Sequence, residues 1–206
     1  MQKNMNKSKS CNVFNNDFES FCNRFIFNKE INGRTILVTG GTGLIGSYVL
    51  RFLRGVAVKN NLSVKLIGMA RNPQKVSDLN FTDEIEWIYM DLNSDKAYPD
   101  GIDYIIHTAC PTQSQYLISN PVEVILDTIS GTRKLLDYCR IHADCSMVYI
   151  SSVEVYGQIY DRKTKVSESD YGYIDNLNVR SCYPESKRLI ECLCSSYAKE
   201  YGVRVM

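Results

Sequence analysis

Tyr183 and Lys187 form the residue pair whose types and spacing most directly predict chemistry. The two residues are four positions apart, so their side chains share one face of a helix. A free phenol has a pKa of ~10 and is a poor base near neutral pH, but a nearby ammonium group favours the phenolate. Tyr183 could then remove the proton of a hydroxyl group while hydride leaves the same carbon. The pair indicates alcohol oxidation, although Tyr-x-x-x-Lys also occurs by chance in helices.

A glycine-rich segment lies between an apolar run and a helical pattern, at residues 39–46, with the sequence Thr-Gly-Gly-Thr-Gly-Leu-Ile-Gly. Its glycines at positions 40, 43 and 46 allow a tight turn, close approach to a pyrophosphate, and close packing of helix on strand. The free N–H groups of the helix N-terminus attract phosphates. This placement predicts dinucleotide binding more strongly than a purely structural turn. An oxidised nicotinamide would further favour the phenolate of Tyr183.

The elements that must position these residues alternate between strands and helices. Apolar and β-branched runs predict strands at 35–39, 64–69, 85–90, 103–108 and 147–151, with the start of a sixth at 203–206. Helical spacing of apolar residues predicts helices at 44–53, 121–140 and 183–201. The alternation predicts an α/β fold, a Rossmann-type doubly wound parallel sheet with helices on both faces.

The two ends of the sequence depart from this alternation. Residues 1–15 are rich in Asn, Lys and Ser and are expected to be disordered. Residues 16–30 are predicted to form an amphipathic helical extension, more probable as packing on its own domain than as a partner-binding helix. Residues 31–206 are assigned to the dinucleotide-binding domain. Because the chain stops inside an apolar strand, this domain is expected to be incomplete at its C-terminal end.

Composition and charge argue against several classes of partner. The formal net charge of +1 gives no electrostatic case for nucleic acid or an anionic membrane. No apolar run approaches the ~20 residues needed to span a bilayer. The eight cysteines are scattered, so free thiols in a reducing cytoplasm are favoured over disulfides. Cys192 and Cys194 point to different faces of a predicted helix, and no metal site is expected.

Three motifs in this order carry a family resemblance: the glycine loop, a strand-like segment at 148–157 that contains two serines, and the Tyr-Lys pair. The sequence resembles the extended short-chain dehydrogenases/reductases, the NAD-dependent epimerase/dehydratase family that modifies nucleotide sugars. The resemblance implies that Tyr183 is the base, that Lys187 lowers its pKa and holds the cofactor ribose, and that Ser152 orients the substrate hydroxyl. Relatives continue into a C-terminal substrate lobe, which is expected to be missing here.

The same resemblance assigns the cofactor contacts. An acid at the end of the second strand selects NAD through the ribose 2′-hydroxyl, whereas an Arg can meet the 2′-phosphate of NADP. Here no acid is found at that position, and Arg71 either favours NADP or is a solvated loop residue stacking on adenine. The cofactor is therefore predicted to be NAD or NADP. The other residues assigned to it are Gly40, Thr42, Gly43, Leu44, Ile45, Gly46, Asp91, Leu92, Thr108, Ala109, Cys110, Tyr183 and Lys187.

Glu154 is the residue that says most about the reaction. In nucleotide-sugar 4,6-dehydratases and uronate decarboxylases of the family, a glutamate at this point acts on the sugar after oxidation. A C4 ketone acidifies the C5 proton, which a carboxylate can remove, whereas simple 4-epimerases need no such base. Val153 stands where glucose 4,6-dehydratases have an Asp, which favours the mannose-dehydratase or uronate-decarboxylase type, although those enzymes carry Ser and not Val at this point. The alternative is that Glu154 is a solvated turn residue.

Four further positions complete the candidate site. Gln113 and Ser114 lie where relatives contact the substrate. Thr128 stands where many relatives have an Asn that helps to order the catalytic region, and this difference is interpreted as a subfamily variant. His107, among apolar residues of the predicted fourth strand, is interpreted as a core histidine and not as a catalyst.

Together these residues predict a nucleotide-sugar epimerase/dehydratase, 4,6-dehydratase or uronate-decarboxylase-like, which oxidises the sugar at C4, processes the ketone and returns the hydride. One alternative is an NADPH-dependent carbonyl reductase or dehydrogenase, supported by Arg71. Another is an inactive cofactor-binding fragment. A homodimer through the helices at 121–140 and 183–201 is a hypothesis taken from relatives.

Overall fold

A computed structural model of the protein describes residues 16–21, 29–79, 85–160 and 165–206. The disorder predicted for residues 1–15 and the middle of the predicted helical extension lie outside the described residues. Residues 16–21 are helical, and Lys29–Ile31 form a 3-10 turn. Phe18 and Phe21 contact Phe52 edge-on, with ring centroids 6.3 and 4.5 Å away, so this short segment packs on its own domain.

Six strands form one parallel sheet: β1 Thr35–Thr39, β2 Lys65–Ala70, β3 Glu86–Tyr89, β4 Tyr104–His107, β5 Ser146–Tyr149 and β6 Arg204–Val205. Their spatial order is β3-β2-β1-β4-β5-β6, and every neighbouring pair is parallel. The chain order reverses between β1 and β4, which is the switch point where open α/β sheets bind ligands. The predicted doubly wound sheet is confirmed.

Five helices accompany the sheet in the described part of the chain after residue 29: α1 Leu44–Lys59, α2 Pro73–Asp78, α3 Ser114–Ser119, α4 Pro121–Ile141 and α5 Cys182–Tyr201. α1 continues to Lys59, beyond the predicted end at 53. The sequence analysis missed α2 and α3, because six residues are too few to show a helical period. Within the described ranges, no helix has the length and apolar character to cross a membrane.

Alternate strand residues pack into two separate cores, one on each face of the sheet. Leu37, Ile67 and Ile105 belong to a cluster that includes Leu135 of α4 and Ile190 of α5. The other cluster joins Ile36, Val38 and Leu66 to Leu50 of α1. Burial of apolar side chains on both faces therefore fixes α1 on one side and α4 with α5 on the other.

The loop after β5 differs from the prediction. The strand ends at Tyr149 and not at 151, so Ser151 and Ser152 lie beyond it. A 3-10 turn follows at Val153–Tyr156, and the Ser152 hydroxyl caps this turn by accepting from the Glu154 N–H at 3.2 Å. The cap, not a strand, places Ser152 and Glu154 at the carboxyl edge of the sheet.

His107 is buried in the core, with 2% of its surface exposed. One ring nitrogen lies 2.7 Å from the Thr39 hydroxyl and the other 3.0 Å from the Thr132 hydroxyl, so the ring joins β4 to β1 and α4. Burial, and then the nearby charge of Lys187, lowers the pKa of His107 to about 3. This is the environment of a core histidine, as the sequence analysis expected.

The buried ring of His107 makes stability depend on pH. In the unfolded chain a histidine takes up a proton below about pH 6.5, whereas the folded protein does not protonate His107 until about pH 3. The contribution of His107 to the stability of the folded state is therefore fully present above about pH 6.5. It is lost as the pH falls, and the folding equilibrium constant decreases by up to about tenfold for each pH unit. Urea unfolding from pH 8 to pH 4 should show a weaker pH dependence for His107→Gln. Equal slopes for the two proteins would contradict this assignment.

Candidate active site

The glycine loop after β1 is built where only glycine fits. Gly40 has φ +65, and a Cβ there would lie 2.9 Å from the backbone of Ala109. A Cβ on Gly46 would collide with the Gly40 carbonyl and lie 2.9 Å from the Thr108 hydroxyl. The loop therefore packs directly on the segment that follows β4. Substitution at either glycine would push these two segments apart.

The loop also presents the N-terminus of α1. Gly43 is the N-cap, no side chain caps the helix, and its first turn contains no acidic residue. The free N–H groups and the positive end of the helix dipole are thus available to a phosphate. The residues present therefore fit a dinucleotide pyrophosphate at this position.

A cavity of about 270 Å³ opens in front of the loop, at the carboxyl ends of the strands. Nine of the predicted cofactor residues line it: Gly40, Thr42, Gly43, Arg71, Asp91, Leu92, Thr108, Ala109 and Cys110. The remaining five do not line it: Leu44, Ile45, Gly46, Tyr183 and Lys187. Leu44 and Ile45 are exposed on the first turn of α1, and Gly46 is buried beneath the loop.

The far end of this cavity carries basic side chains. β2 ends at Ala70, and the next residue, Arg71, is paired with Asp91 at 3.6 Å while its side chain stays 80% exposed. Lys75 of α2 also lines the cavity. The sequence analysis missed Lys75, although the Asn72 cap and Pro73 mark a helix start that could have placed it.

Ser152, Tyr183 and Lys187 come together beside the carboxyl ends of β4 and β5. Burial raises the pKa of Tyr183, and the nearby Ser152 hydroxyl partly opposes this by lowering it. The Lys187 Nζ lies 5.9 Å from the centre of the Tyr183 ring. The Lys187 ammonium donates to the Ile150 carbonyl at 2.7 Å, and the lowering of the Tyr183 pKa expected from Lys187 stays a prediction.

Glu154 does not lie free in solvent, since its carboxylate accepts from Arg180 at 2.9 Å. Arg180 belongs to a 3-10 turn, Val179–Ser181, that leads directly into α5. The Arg180 guanidinium carbon lies 5.7 Å from the centre of the Tyr183 ring. Glu154 also lines a second cavity, of about 300 Å³. Sequence reasoning missed Arg180. The signal that could have found it is its basic side chain, three positions before Tyr183.

The remaining predicted residues lie at the rim. Gln113 is the N-cap of α3 and Ser114 is its first residue; both are exposed, and neither lines either of the two cavities. Thr128 lies on α4, lines the first cavity, and places its hydroxyl 3.9 Å from the Cys110 thiol. Burial raises the pKa of Cys110, so this thiol is not an activated nucleophile.

A doubly wound parallel sheet with a glycine loop at its switch point is the architecture of a dinucleotide-binding domain. The model of the NAD dependent epimerase/dehydratase family matches residues 36–206. The chain belongs to this family.

Comparisons with individual proteins agree with the assignment of the chain to this family. The chain is 31% identical to UDP-glucuronic acid decarboxylase 6 of Arabidopsis thaliana in an alignment 180 residues long, which covers 82% of this chain and 48% of the relative. It is 29% identical to UDP-glucuronic acid decarboxylase 1 of Danio rerio, with 87% of this chain and 41% of the relative covered. The chain thus spans less than half the length of these curated relatives.

The fold is shared with solved members of the family. The dTDP-glucose 4,6-dehydratase of Streptomyces venezuelae, solved with NAD bound, superposes with a TM-score of 0.68 at 23% identity. The superposition covers 83% of this chain and 53% of the dehydratase. At this identity the likeness establishes the architecture.

Gly46→Ala tests the loop. The added methyl group would meet the Gly40 carbonyl, and overpacking of this kind costs about 1–3 kcal/mol. We expect a lower melting temperature and a large loss of affinity for NAD and NADP, measured by calorimetry. Gly43→Ala is the matched comparison and should be milder, because its Cβ would lie 3.2 Å from the same carbonyl. Unchanged cofactor affinity in Gly46→Ala would rule out the loop as the phosphate site.

Proposed function

We propose that the protein is a nucleotide-sugar epimerase/dehydratase, and that its chemistry is closest to uronate decarboxylation. The observation that carries the proposal is the position of Glu154, held by Arg180 at 2.9 Å at the start of the helix that carries Tyr183. The identity to UDP-glucuronic acid decarboxylases over more than four fifths of the chain supports it. The reaction needs both an oxidising centre and a group that acts on the oxidised sugar.

Tyr183 is the proposed base for oxidation at C4. It removes the proton of the sugar hydroxyl, while Ser152 hydrogen-bonds the same oxygen and fixes its direction. A bound nicotinamide would supply the chemistry of accepting hydride from C4 and returning it. Lys187 is proposed to hold the ribose hydroxyls through its ammonium group. This set accounts for the oxidative half of the reaction.

Glu154 is the proposed group for the second half. In a uronate, the C6 carboxylate is attached to C5, next to the C4 ketone. The C5–C6 bond can therefore break with loss of carbon dioxide, the electron pair passing towards the ketone oxygen. C5 then takes up a proton, for which the carboxyl group of Glu154 is the proposed donor. A carboxylate at this point can also remove a proton from C5 of a neutral hexose. Arg180 holds the Glu154 side chain in place for either step.

Val153 favours decarboxylation of a uronate over the dehydration carried out by a glucose-type dehydratase. Loss of water from C6 needs an acid to protonate the departing hydroxyl, and the side chain of Val153 has no proton to give. It is also 79% exposed, on the turn that carries Glu154. Loss of carbon dioxide needs no such acid. The residue types on this turn therefore match decarboxylation better.

The direct test is turnover of a panel of nucleotide sugars that contains UDP-glucuronate, UDP-glucose, dTDP-glucose and GDP-mannose, followed by mass spectrometry. We expect a product lighter by carbon dioxide from UDP-glucuronate. Tyr183→Phe should lower the rate by about 10²–10⁴-fold, which is the usual contribution of a general base to the rate, and should leave the cofactor affinity nearly unchanged. Tyr201→Phe is the control on the same helix and should behave like the wild type.

The outcomes separate the candidate functions. Normal turnover by Tyr183→Phe would contradict the mechanism. Cofactor binding without conversion of any sugar would favour a cofactor-binding module. Stoichiometric consumption of NADPH with a carbonyl substrate would favour a reductase, which the basic residue Arg71 would suit.

We infer that the cofactor site prefers NADP. Ala70 leaves no carboxylate at the end of β2, and Arg71 and Lys75 both line that end of the cavity. A 2′-phosphate would gain charge-assisted hydrogen bonds from these groups, whereas a 2′-hydroxyl would gain less. The solved dehydratase named above holds NAD, so this preference is proposed for the present chain alone.

Arg71→Ala tests the preference. Loss of a hydrogen bond to a charged group costs about 1.5–3 kcal/mol, so NADP affinity should fall about 10- to 100-fold while NAD affinity stays nearly constant. Both dissociation constants can be measured by calorimetry. Lys65→Ala removes an exposed basic residue at the opposite end of β2 and serves as the control. Equal losses for both cofactors, or tighter binding of NAD than NADP by the wild type, would contradict the preference.

A further inference from the structure

Lys187 is a charged residue held almost entirely inside the protein, with 4% of its surface exposed. A buried ammonium group must be compensated by acceptors or by other favourable contacts. The Ile150 carbonyl is one acceptor, 2.7 Å from Nζ. An ammonium has three donors, so one carbonyl does not satisfy it.

Besides the Cys110 side chain, the aromatic ring of Tyr149 is a further contact of this ammonium. Tyr149 is the last residue of β5, and Nζ of Lys187 lies 4.5 Å from the centre of its ring. A cation within ~6 Å of an aromatic face is attracted to it, and more strongly when both are shielded from water. The ring and the Ile150 carbonyl come from adjacent residues, so one short segment holds the ammonium by two different interactions.

The hydroxyl of Tyr149 makes no such contribution. Its oxygen is buried, and among the residues that the structure describes it has no hydrogen-bond partner. A buried hydroxyl without a partner is unfavourable. The useful part of this tyrosine is therefore its ring.

Thr128 of α4 lines the same cavity as Cys110. The Thr128 hydroxyl lies 3.9 Å from the Cys110 thiol, and the Thr128 backbone carbonyl accepts from the Thr132 hydroxyl at 2.8 Å. Ile150 and Tyr149 contact the ammonium from the β5 side, and the Cys110 side chain interacts with it from the end of β4.

We propose that Tyr149 is a positioning residue for Lys187, whose ring face fixes the ammonium at the carboxyl edge of the sheet where it can meet the cofactor. The proposal rests on the proposed function only in giving Lys187 that cofactor role. The hold on the ammonium itself follows from the contacts of Tyr149 and Ile150 and can be measured without any substrate.

The charged form of Lys187 has several neighbours that set its proton affinity. Burial lowers the pKa of Lys187, whereas Cys110 and Glu191 raise it. His107 lies 5.6 Å from the Tyr149 ring, measured between centroids, and stays neutral at physiological pH because its pKa is about 3. Tyr183 also faces the ammonium, at 5.9 Å from its ring centre. Removal of the Tyr149 ring would leave these neighbours in place and remove an attraction for the charged form.

The experiment compares Tyr149→Phe with Tyr149→Leu in the full chain. Lysine labelled with ¹³C at Cε reports protonation by NMR, and Lys187→Met assigns the signal. In Tyr149→Leu, the proton affinity of Lys187 should fall about tenfold, since a desolvated cation–π contact is lost. In Tyr149→Phe it should be unchanged. The melting temperature of Tyr149→Phe should equal or exceed that of the wild type, because the lost hydroxyl had no described partner.

A fluorinated series keeps the test decisive if Tyr149→Leu does not fold. Phenylalanines with increasing numbers of ring fluorines at position 149 weaken the ring's negative face and leave its shape nearly constant. The proton affinity of Lys187 should fall stepwise with each fluorine. A flat series, or an equal change in Tyr149→Phe and Tyr149→Leu, would overturn the proposal. Neither readout depends on turnover, so failure here is distinct from failure of the nucleotide-sugar function.

Discussion

The hydrogen bond from the Lys187 ammonium to the Ile150 carbonyl is the interaction on which the rest of the site depends. It joins the buried face of α5 to the segment just after β5. The Ile150 amide in turn donates to the His107 carbonyl at 3.1 Å, so the lysine is tied to the central strands of the sheet. Because a buried charge tolerates little displacement, this bond fixes the rotation and height of α5. The positions of Tyr183 and Arg180 follow from it.

The glycine loop lies at the same edge of the sheet. The loop and the cluster of Ser152, Tyr183 and Lys187 meet at the end of β4. A methyl group on Gly40 would collide with the Ala109 backbone, and the Thr108 hydroxyl donates to the Thr39 carbonyl at 2.7 Å. The segment that supports the loop thus leads directly to Cys110, one of the groups around Lys187. A dinucleotide laid along this edge would run from Arg71 at one end to Ser152, Tyr183 and Lys187, the proposed catalytic residues, at the other.

Sequence reasoning predicted the sheet and its long helices, because each rests on a period that is local in the chain. The catalytic roles of Ser152, Tyr183 and Lys187 rest on motifs that are equally local, and they stay predictions. Sequence reasoning did not find Arg180 or Tyr149, whose roles depend on contacts with residues 26 and 38 positions away. It placed Ser152 on a strand, since the apolar run before it hides the capped turn. The expected effect of Lys187 on the pKa of Tyr183 depends on where the ammonium group lies, and the sequence alone does not give that position.

The central claim is that the glycine loop and the Ser152, Tyr183 and Lys187 cluster hold two ends of one cofactor. Backbone amide NMR during titration with NADP tests this most directly. The account predicts that the amides of residues 40–46 shift together with those of Ser152 and Tyr183, all with one dissociation constant. Shifts confined to the loop, or two different dissociation constants, would contradict it.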